Sequence, residues 1–302
     1  MKIIVVGGTG LVGGNVALLL KSLGHEVTLM ARKPSALPVL ADFPFIAGDY
    51  AEDDFGAGQL QGFDWMVFAA AVDIRYVPTD GSVTAEAFYE KYNTLGVPRF
   101  FAAARAAGIR RCVYVGTFYP TVAPERIDVC PYVRSRHLAD QAIRAMSDDA
   151  FVVCCIDAPF ILGLLPGLDI PHLAALVQYA KGSLEGLPVF APRGGTNHVS
   201  VTSVSQAIVG ALERGESGRA YLVGDENYSW KEYLELWFDA VGNPTDLEVR
   251  EEDHPMLPDA IMFAGVGATV SYEPDPAEVE RLGYDRGAVR SLIVEVAKHF
   301  GG

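Results

Sequence analysis

A glycine-rich turn near the start of the chain constrains the fold more than any other feature. The segment KIIVVGGTGLVGG joins an apolar run at residues 2–6, typical of a buried strand, to a helical pattern at residues 11–24. Two spacings fit its glycines: Gly8-x-Gly10-x-x-Gly13 and Gly7-x-x-Gly10-x-x-Gly13. A turn without Cβ atoms lets the backbone approach an anion, and the start of the helix offers N–H groups and a favourable dipole. Between a strand and a helix, this motif predicts a site for a dinucleotide pyrophosphate.

The first half of the chain repeats the alternation of strand and helix. Apolar runs predict further strands at residues 25–32, 43–48, 65–71, 110–116 and 150–156, and helical patterns occupy residues 92–108 and 131–146. Strands that alternate with helices form βαβ units. The fold class predicted is therefore α/β, with a Rossmann-type doubly wound parallel sheet covered on both faces.

The pattern changes after about residue 158, where helices, short strands and frequent prolines and glycines follow. We expect a dinucleotide-binding Rossmann domain at residues 1–158 and a smaller C-terminal α/β substrate-binding region at residues 159–302. Residues 197–224 are expected to return in part to the first domain, because RAYLVG at residues 219–224 reads as a short strand.

Charge and apolar content argue against two classes of partner. The chain of 302 residues carries 24 Lys and Arg against 38 Asp and Glu, a net charge of −14. An acidic chain repels nucleic-acid phosphates and anionic membrane surfaces. No apolar run approaches the roughly 18 residues needed to span a membrane. We therefore expect a small-molecule substrate, with neither nucleic acid nor a membrane as partner.

The cysteines indicate a reducing compartment. Cys112, Cys130, Cys154 and Cys155 lack the spacing of metal ligands, and we interpret them as reduced core residues, with no metal site. No basic segment followed by a long apolar run precedes the first strand, so no signal peptide is expected. These features favour a cytoplasmic location.

The end of the second predicted strand bears on the choice of cofactor. An acidic residue there would bind the ribose 2′-hydroxyl of NAD, whereas a basic residue suits the 2′-phosphate of NADP. LMARKPS supplies Arg32 and Lys33 and no carboxylate, which favours NADP(H) over NAD(H), with solvated loop charges as the alternative.

The ends of the next two predicted strands are expected to border the same cofactor. Asp49, beside Tyr50 after the third strand, is placed to meet the adenine amine. Three small residues leave room for the cofactor where the fourth strand ends: Ala69, Ala70 and Ala71. We therefore expect all five residues to contact the dinucleotide.

The order of motifs along nearly the whole chain resembles an extended short-chain dehydrogenase/reductase of the NAD-dependent epimerase/dehydratase type. The matching segments are GGTGLVG, AGDY, FAAAV, YNTLGVPRFFAAARAAGIRRCVYVGT, PYVRSR, DAPFILG and GGTNHVSVTSVSQAIVGALERGESGRAYLVG. The resemblance implies a Ser/Thr, a Tyr and a Lys that act on a carbonyl or carbinol. It also implies a homodimer as the common assembly.

The resemblance places four catalytic residues. Thr117 falls on the hydroxyl position, Tyr132 on the acid/base position and Arg136 on the position of the usual lysine. Asn93 matches the asparagine that the family has beside the site. Tyr132 and Arg136 also share a helix face, since they are four residues apart. A phenol that normally titrates near pH 10 needs a neighbouring cation to work near pH 7. Arginine supplies the charge but does not readily release a proton, so the proton relay is expected to be altered.

The remaining expected contacts follow from the same segments. Expected cofactor contacts are Gly7, Thr9, Gly10, Leu11, Val12 and Gly13 in the glycine loop, with Pro159 and Phe160 after the sixth strand. Expected substrate contacts are Val72, Ile161, His172, Arg193 and His198. The segments PFILGLLPGLDIPHL and MFAAAVDIRYV are largely apolar, and such lining suits a hydrophobic alcohol or ketone.

Three functions fit these observations. The first is an NADP(H)-dependent oxidoreductase for an apolar or aromatic secondary alcohol or ketone, as in the hydroxysteroid dehydrogenase and dihydroflavonol reductase branches. The second is a nucleotide-sugar epimerase or dehydratase, for which Arg193 is the one cation that the resemblance places near a ligand. The third is a non-catalytic NADP(H)-binding sensor, suggested by arginine in place of lysine at position 136.

Overall fold

Seven parallel strands form the main sheet of the computed structural model, which describes residues 1–53, 55 and 57–301. These strands are β1 (Lys2–Val6), β2 (Glu26–Ala31), β3 (Phe45–Ala47), β4 (Trp65–Phe68), β5 (Arg111–Val115), β6 (Val152–Asp157) and β10 (Ala220–Leu222). Their order across the sheet is β10-β6-β5-β4-β1-β2-β3. The chain therefore builds outward from β1 to β3 and then resumes at β4 on the other side of β1. This arrangement confirms the predicted Rossmann-type fold.

Helices cover both faces of the sheet. The helices of the described residues are α1 (Leu11–Ser22), α2 (Ala57–Leu60), α3 (Ala85–Tyr89), α4 (Val97–Ala106), α5 (Tyr119–Val122), α6 (Arg126–Val129), α7 (Pro131–Arg144), α8 (Pro171–Ala180), α9 (Val201–Arg214), α10 (Trp230–Ala240), α11 (Pro276–Leu282) and α12 (Val289–Gly301). Helices α1 and α9 pack together on one face, and α4 and α7 cover the other. A π-helix at Glu90–Gly96 runs directly into α4.

The strands read as continuous apolar runs because both faces of the sheet are covered. In β1, Ile3 and Val5 enter the core beneath α1 and α9, whereas Ile4 and Val6 enter the core beneath α4 and α7. All four side chains are at most 2% exposed. Burial on both faces is what distinguishes a central parallel strand from the alternating pattern of a half-exposed one.

The second half of the chain forms a separate C-terminal region and also returns to the main sheet. Strands β7 (Phe160–Leu162), β9 (Gly195–Ser200) and β11 (Glu226–Ser229) form a small sheet, and β8 (Ala191–Pro192) pairs with β12 (Val249–Arg250). Helices α8, α10 and α12 share a core with them. Helix α9 and β10 instead belong to the main sheet, where Tyr221 of β10 pairs with Ile156 of β6.

Two features of the rest of the chain bear on the sequence analysis. The four cysteines are free and buried, as expected of core residues. Within residues 1–53, 55 and 57–301, no helix has the length and apolar character required to cross a membrane.

Candidate active site

The glycine loop forms a tight cradle between β1 and α1. Gly7 has a φ of +78°, and a Cβ there would lie 2.6 Å from the carbonyl oxygen of Ala69. A Cβ on Gly13 would lie 2.1 Å from the carbonyl oxygen of Gly7, so glycine is required for the helix to approach the strand end. Gly10 is different, because it is exposed and a Cβ there would meet Gly7 at an ordinary 3.5 Å.

The first turn of α1 offers backbone donors to an anion. Gly10 is its N-cap residue, makes no side-chain capping bond, and is followed by no acidic residue in the first turn. The described residues provide no acceptor for the N–H groups of Leu11, Val12 and Gly13. Thr9 lies half-buried at the bend of the loop. A free helix start beside a Cβ-free turn fits the pyrophosphate of a dinucleotide cofactor.

Two unpaired cations follow β2, at the edge of the same groove. Arg32 is exposed, and its guanidinium carbon lies 6.0 Å from the ring centroid of Tyr76. Lys33 is exposed. Neither residue forms an ion pair with any described carboxylate. Both charges are therefore available to an anionic group.

The residues after β3 have mainly structural contacts. The Asp49 carboxylate accepts the N–H of Ala51 at 2.9 Å, and the Asp49 N–H donates to Asp53 at 2.7 Å. The ring of Tyr50 packs in the core, edge-to-face on Phe68 with centroids 4.9 Å apart, and burial raises the pKa of its hydroxyl. The Tyr50 side chain thus belongs to the core beneath the groove. An adenine ring at this position would meet Asp49 and the backbone.

The three alanines after β4 border the glycine loop. The Ala69 N–H donates to the Val6 carbonyl at 2.8 Å, and Ala69, Ala70 and Ala71 are all half-buried. The backbone nitrogen of Ala70 lies 3.0 Å from the position that a Cβ on Gly7 would occupy. Ala70 and Ala71 also pack against the core beneath α4 and α7. The side chains of Ala70 and Ala71, expected to contact the cofactor, therefore also pack against the core. The backbone of Ala69 and Ala70 is the part of this segment that packs against the glycine loop.

Apolar residues after β6 border the other end of the groove. Pro159 is buried, whereas Phe160 and Ile161 are half-buried at the junction between the main sheet and the small sheet. Together with the alanines after β4, they give small and apolar groups at the end of the groove nearest to α7.

Tyr132 and Arg136 lie together on the buried face of α7. One guanidinium N–H of Arg136, on Nη1, donates to the Tyr132 hydroxyl at 3.4 Å, and Nη2 donates to the Val115 carbonyl at 2.6 Å. The guanidinium carbon lies 5.2 Å from the ring centroid of Tyr114 and 5.8 Å from that of Tyr132. The positive charge is therefore fixed beside the predicted acid/base phenol.

Arg136 remains charged although it is only 6% exposed. Burial acts to lower its pKa, but the phenols of Tyr114 and Tyr132 and the carboxylate of Asp73 act in the opposite direction, and the net effect raises the pKa. A guanidinium with a raised pKa supplies a permanent charge and no transferable proton. It can stabilise a phenolate on Tyr132, whereas a proton must reach the phenol by another route.

Asn93 links the loop after β4 to α7 through hydrogen bonds. It is fully buried within the π-helix; its carbonyl oxygen accepts the Val72 N–H at 3.1 Å, and its amide donates to the Val72 carbonyl at 3.1 Å. The amide also donates to Ser135 at 3.1 Å, and Ser135 donates to the Tyr132 carbonyl at 2.8 Å. The Asn93 side chain is thus engaged within the protein and positions the start of α7. Ser135, which connects Asn93 to the Tyr132 carbonyl, was missed by the sequence analysis.

Thr117 lies at the carboxyl end of β5, the edge at which Rossmann-type sheets bind their ligands. It is 7% exposed, and its hydroxyl makes no hydrogen bond with a described residue. The hydroxyl is therefore available to a substrate oxygen.

Aromatic side chains surround the Tyr132 ring. Phe263 stacks on it with centroids 4.3 Å apart and an interplanar angle of 29°. Tyr89 and Tyr119 present edges at 5.6 and 6.5 Å. The Phe263 carbonyl accepts a hydrogen bond from Arg126 Nε at 2.9 Å, which fastens this segment to α6. No local pattern in the sequence indicated Phe263, since its contact with Tyr132 joins segments far apart in the chain.

A second arginine faces the site from the loop after β4. Arg75 forms an ion pair with Asp73 at 2.6 Å, and the Tyr132 phenol is among the groups that raise the pKa of Arg75. Burial acts to raise the pKa of Asp73, but Arg75 and Arg136 lower it overall. Desolvation, followed by the charge of Arg75, lowers the pKa of His172 at the start of α8. His172 is exposed at the start of α8 and lies near enough to this loop for the charge of Arg75 to act on it.

Two expected substrate contacts are engaged elsewhere. Arg193 forms an exposed ion pair with Glu251 and lines a groove on the C-terminal region. His198 is 1% exposed, with its ring stacked on Tyr233 at 4.3 Å, and burial lowers its pKa to about 3. His198 is thus a neutral core residue that meets Phe160, at 5.9 Å, rather than the Tyr132 cluster.

Comparison with known families gives one extensive match. The sequence model of the NAD dependent epimerase/dehydratase family matches residues 3–224. These residues contain the glycine loop, the Tyr132–Arg136 pair and the return of the chain to β10.

Individual relatives are more distant. A 3 beta-hydroxysteroid dehydrogenase/Delta 5-->4-isomerase of Mycobacterium tuberculosis is 31% identical over 118 residues, which cover 38% of this chain and 31% of that protein. The chain thus spans about a third of the length of this relative. A 2-alkyl-3-oxoalkanoate reductase of Stenotrophomonas maltophilia is 25% identical over 269 residues, or 81% of this chain and 77% of the relative.

Among solved structures, the crystal structure of gox2253 superposes with a TM-score of 0.77 at 20% identity. The alignment covers 99% of this chain and 98% of the other. At this identity the likeness establishes the fold alone.

Alanine substitutions at Gly13 and Gly10 distinguish the structural role of the loop from its role in ligand binding. Gly13→Ala would overlap the Gly7 carbonyl, so we expect a loss of about 1–3 kcal/mol in the free energy of unfolding. Gly10→Ala fits the loop, so its unfolding free energy should change by less than about 1 kcal/mol, whereas its methyl group should weaken NADPH binding about tenfold or more. Thermal unfolding and fluorescence titration with NADPH measure the two effects. Wild-type NADPH affinity in Gly10→Ala would contradict this assignment of the loop.

Proposed function

Because the chain belongs to the NAD dependent epimerase/dehydratase family, we propose that it is an NADP(H)-dependent oxidoreductase for apolar or aromatic secondary alcohols or ketones. The observation that carries the proposal is the buried Tyr132–Arg136 pair, which lies among aromatic rings at the carboxyl edge of the sheet. A phenol beside a permanent cation is suited to proton transfer with a carbonyl oxygen.

The proposed chemistry divides between the cofactor and the protein. The bound cofactor supplies or removes the hydride at the substrate carbon. In reduction, Tyr132 donates its phenolic proton to the substrate oxygen while the Thr117 hydroxyl orients that oxygen. Arg136 stabilises the phenolate that remains, and water returns the proton, since the guanidinium holds its own protons. In oxidation, the phenolate accepts the proton of the alcohol.

The preference for NADP(H) rests on the cations after β2. Arg32 and Lys33 stand without a carboxylate partner among the described residues, beside a groove whose strand end carries no acidic residue. A ribose 2′-phosphate would offset both charges, whereas a 2′-hydroxyl would leave them unused.

The proposed substrate class rests on the aromatic wall around Tyr132. Phe263 is half-buried and presents apolar surface to a ligand that reaches the phenol, and the buried rings of Tyr89 and Tyr119 pack behind it around Tyr132. A hydrophobic ketone matches such lining better than a sugar does. The names of the two relatives, a hydroxysteroid dehydrogenase and an oxoalkanoate reductase, agree with this class.

A nucleotide sugar is the less favoured substrate. Its diphosphate would need cations beyond those of the glycine loop, and Arg193 is already paired with Glu251. An exchange of this partner for a diphosphate would leave Glu251 close to the ligand. Isothermal titration with UDP-glucose distinguishes the two classes, because micromolar binding would favour the nucleotide sugar over the apolar ketone.

Substitutions on α7 test the proposed chemistry. Tyr132→Phe should lower kcat on responsive ketones at least about 100-fold, with unchanged NADPH binding, because the acid is lost. Arg136→Lys should retain or raise activity, whereas Arg136→Met should largely abolish it. Arg134→Met is the matched control, since Arg134 lies on the same helix but bonds to Glu86 and to carbonyls near α6. NADPH oxidation with a panel of aromatic and aliphatic ketones gives the rates.

Two outcomes would overturn this part of the proposal. Normal turnover by Tyr132→Phe would remove the phenol from the chemistry. Tight NADPH binding without turnover over the whole panel, in the wild-type protein, would favour a sensor.

Cofactor selectivity is tested after β2. Arg32→Ala should weaken NADPH binding by about tenfold while NADH binding changes little, because only NADPH carries the 2′-phosphate. Lys33→Ala, measured in the same way, identifies which cation faces that phosphate. An unchanged ratio of NADPH to NADH affinity in both variants would refute the preference.

Phe263 provides a test of substrate class. Phe263→Ala should raise KM for aromatic ketones by up to about tenfold, with a smaller effect on short aliphatic ketones, because a stacking surface is lost. Phe263→Leu is the control that restores apolar volume without an aromatic face. Equal changes in KM for both classes of ketone in Phe263→Ala would argue against this wall as a substrate surface.

A further inference from the structure

The segment that carries Phe263 lies between two hydrophobic cores. Residues 253–268, called the Phe263 segment below, contain a single turn of 3₁₀-helix at Asp259–Ile261 and otherwise only turns and bends. Leu257 packs into the core shared by α8, α10 and α12. Phe263 packs into the separate cluster that contains Tyr132. The segment therefore connects the C-terminal core to the proposed active site.

Hydrogen bonds hold both ends of the Phe263 segment to the C-terminal region. Near its start, Nδ1 of the buried His254 ring accepts the N–H groups of Met256 and Leu257, each at 3.1 Å. Nε2 of the same ring donates to the Phe190 carbonyl at 3.0 Å. At the end of the segment, the Ala268 carbonyl accepts a backbone N–H of β9 at 3.1 Å. Both ends are therefore fixed by the C-terminal region itself.

Between these ends, one hydrogen bond joins the Phe263 segment to the first half of the chain. Arg126 is half-buried, and its Nε donates to the Phe263 carbonyl at 2.9 Å. Among the described residues, no other hydrogen bond links residues 255–267 to a part of the chain outside the segment. Arg126 begins α6, which packs against α7 and is separated from it in the chain by Cys130 alone. The donor is thus carried by the helix that adjoins the helix of Tyr132.

The bond from Arg126 acts on the residue whose ring covers Tyr132. The Phe263 ring stacks on Tyr132 at 4.3 Å and meets Tyr119 edge-to-face at 5.6 Å, with an interplanar angle of 85°. Arg126 holds the peptide group of this same residue. The position of the ring over the phenol therefore depends on a backbone carbonyl that one side chain secures.

We propose that Arg126 is a positioning residue that sets the selectivity of the site for aromatic ketones, because it holds the Phe263 ring against Tyr132. The inference rests on the proposed function, in which the substrate carbonyl reaches the Tyr132 phenol. With the hydrogen bond in place, the ring offers an ordered face for stacking. Without it, the middle of the Phe263 segment gains freedom, and an aromatic substrate must order the ring as it binds. Short aliphatic ketones gain less from stacking and depend less on Arg126.

Two substitutions distinguish the hydrogen bond from the size of the side chain. In Arg126→Gln the amide nitrogen takes the place of Nε along the side chain, so a donor is retained although the charge is lost. In Arg126→Met a methyl group takes that place, so the donor is lost. We expect Arg126→Met to raise KM for aromatic ketones about two- to fivefold, with kcat changed by less than about twofold. Arg126→Gln should stay close to the wild type.

Phe263→Ala provides the background in which this effect should vanish. Without the ring, Arg126 has nothing to position, so adding Arg126→Met to Phe263→Ala should leave KM for aromatic ketones unchanged. The rates come from NADPH oxidation with aromatic and short aliphatic ketones. An unchanged KM in Arg126→Met, or the same increase in Arg126→Gln, would overturn the inference.

Hydrogen exchange followed by mass spectrometry tests the positioning without a substrate. In Arg126→Met, the amides of residues 259–268 should exchange about fivefold faster than in the wild type, because one hydrogen bond that restrains them is lost. The peptide of residues 253–258 is the internal control, since His254 holds its amides in both proteins. Unchanged exchange at residues 259–268 would refute the positioning role even in an active enzyme.

The two proposals fail separately. Absence of turnover on all ketones, together with faster exchange in Arg126→Met, would count against the proposed function and leave Arg126 as the residue that positions Phe263. Normal turnover, with unchanged exchange and unchanged KM in Arg126→Met, would leave the function intact and refute the role of Arg126.

Discussion

The close packing of backbone at the centre of the sheet is the constraint on which the rest of the structure depends. Gly7 approaches Ala69 across β1 and β4, and Gly13 approaches Gly7, at distances that exclude any Cβ. These contacts occur where the order of strands reverses, so the ends of β1 and β4 open onto one groove. The same contacts fix where the chain leaves β4. From there it reaches Val72, which Asn93 links to the start of α7. The position of Tyr132 is therefore connected to the glycine loop through a short series of backbone contacts and side-chain hydrogen bonds of Asn93.

The guanidinium of Arg136 is the principal electrostatic feature of the site. A buried charge without a carboxylate partner is unfavourable unless other groups stabilise it. Here the Val115 carbonyl and the ring faces of Tyr114 and Tyr132 stabilise the charge of Arg136. Arginine suits this environment because its planar head can donate to a carbonyl and stack on rings at once, which an ammonium group does less well. The surroundings of residue 136 are thus adapted to arginine.

The sequence was most informative where one residue type or one repeat determines the structure. Long apolar runs identified the strands, and the glycine spacing identified the turn, because both are local. The segment at residues 92–108 was predicted as a single helix, but its first turns form a π-helix that holds Asn93. A change in helical pitch leaves no clear mark on a pattern of apolar residues. Phe263 could not be assigned a role, because its neighbour Tyr132 comes from another segment. His198 was expected at the substrate, yet its aromatic neighbours place it in the core.

The stacking of Phe263 on Tyr132 has a consequence for how this fold acquires new substrates. The family match ends at residue 224, so the ring that covers the proposed acid/base residue comes from a part of the chain outside that match. The residues proposed for cofactor binding and proton transfer belong to one stretch of sequence, and one wall of the proposed substrate pocket belongs to another. The two stretches can therefore diverge at different rates. If the proposed function holds, substitutions around Phe263 in the later stretch can change the preferred ketone and leave the residues proposed for proton transfer unaltered.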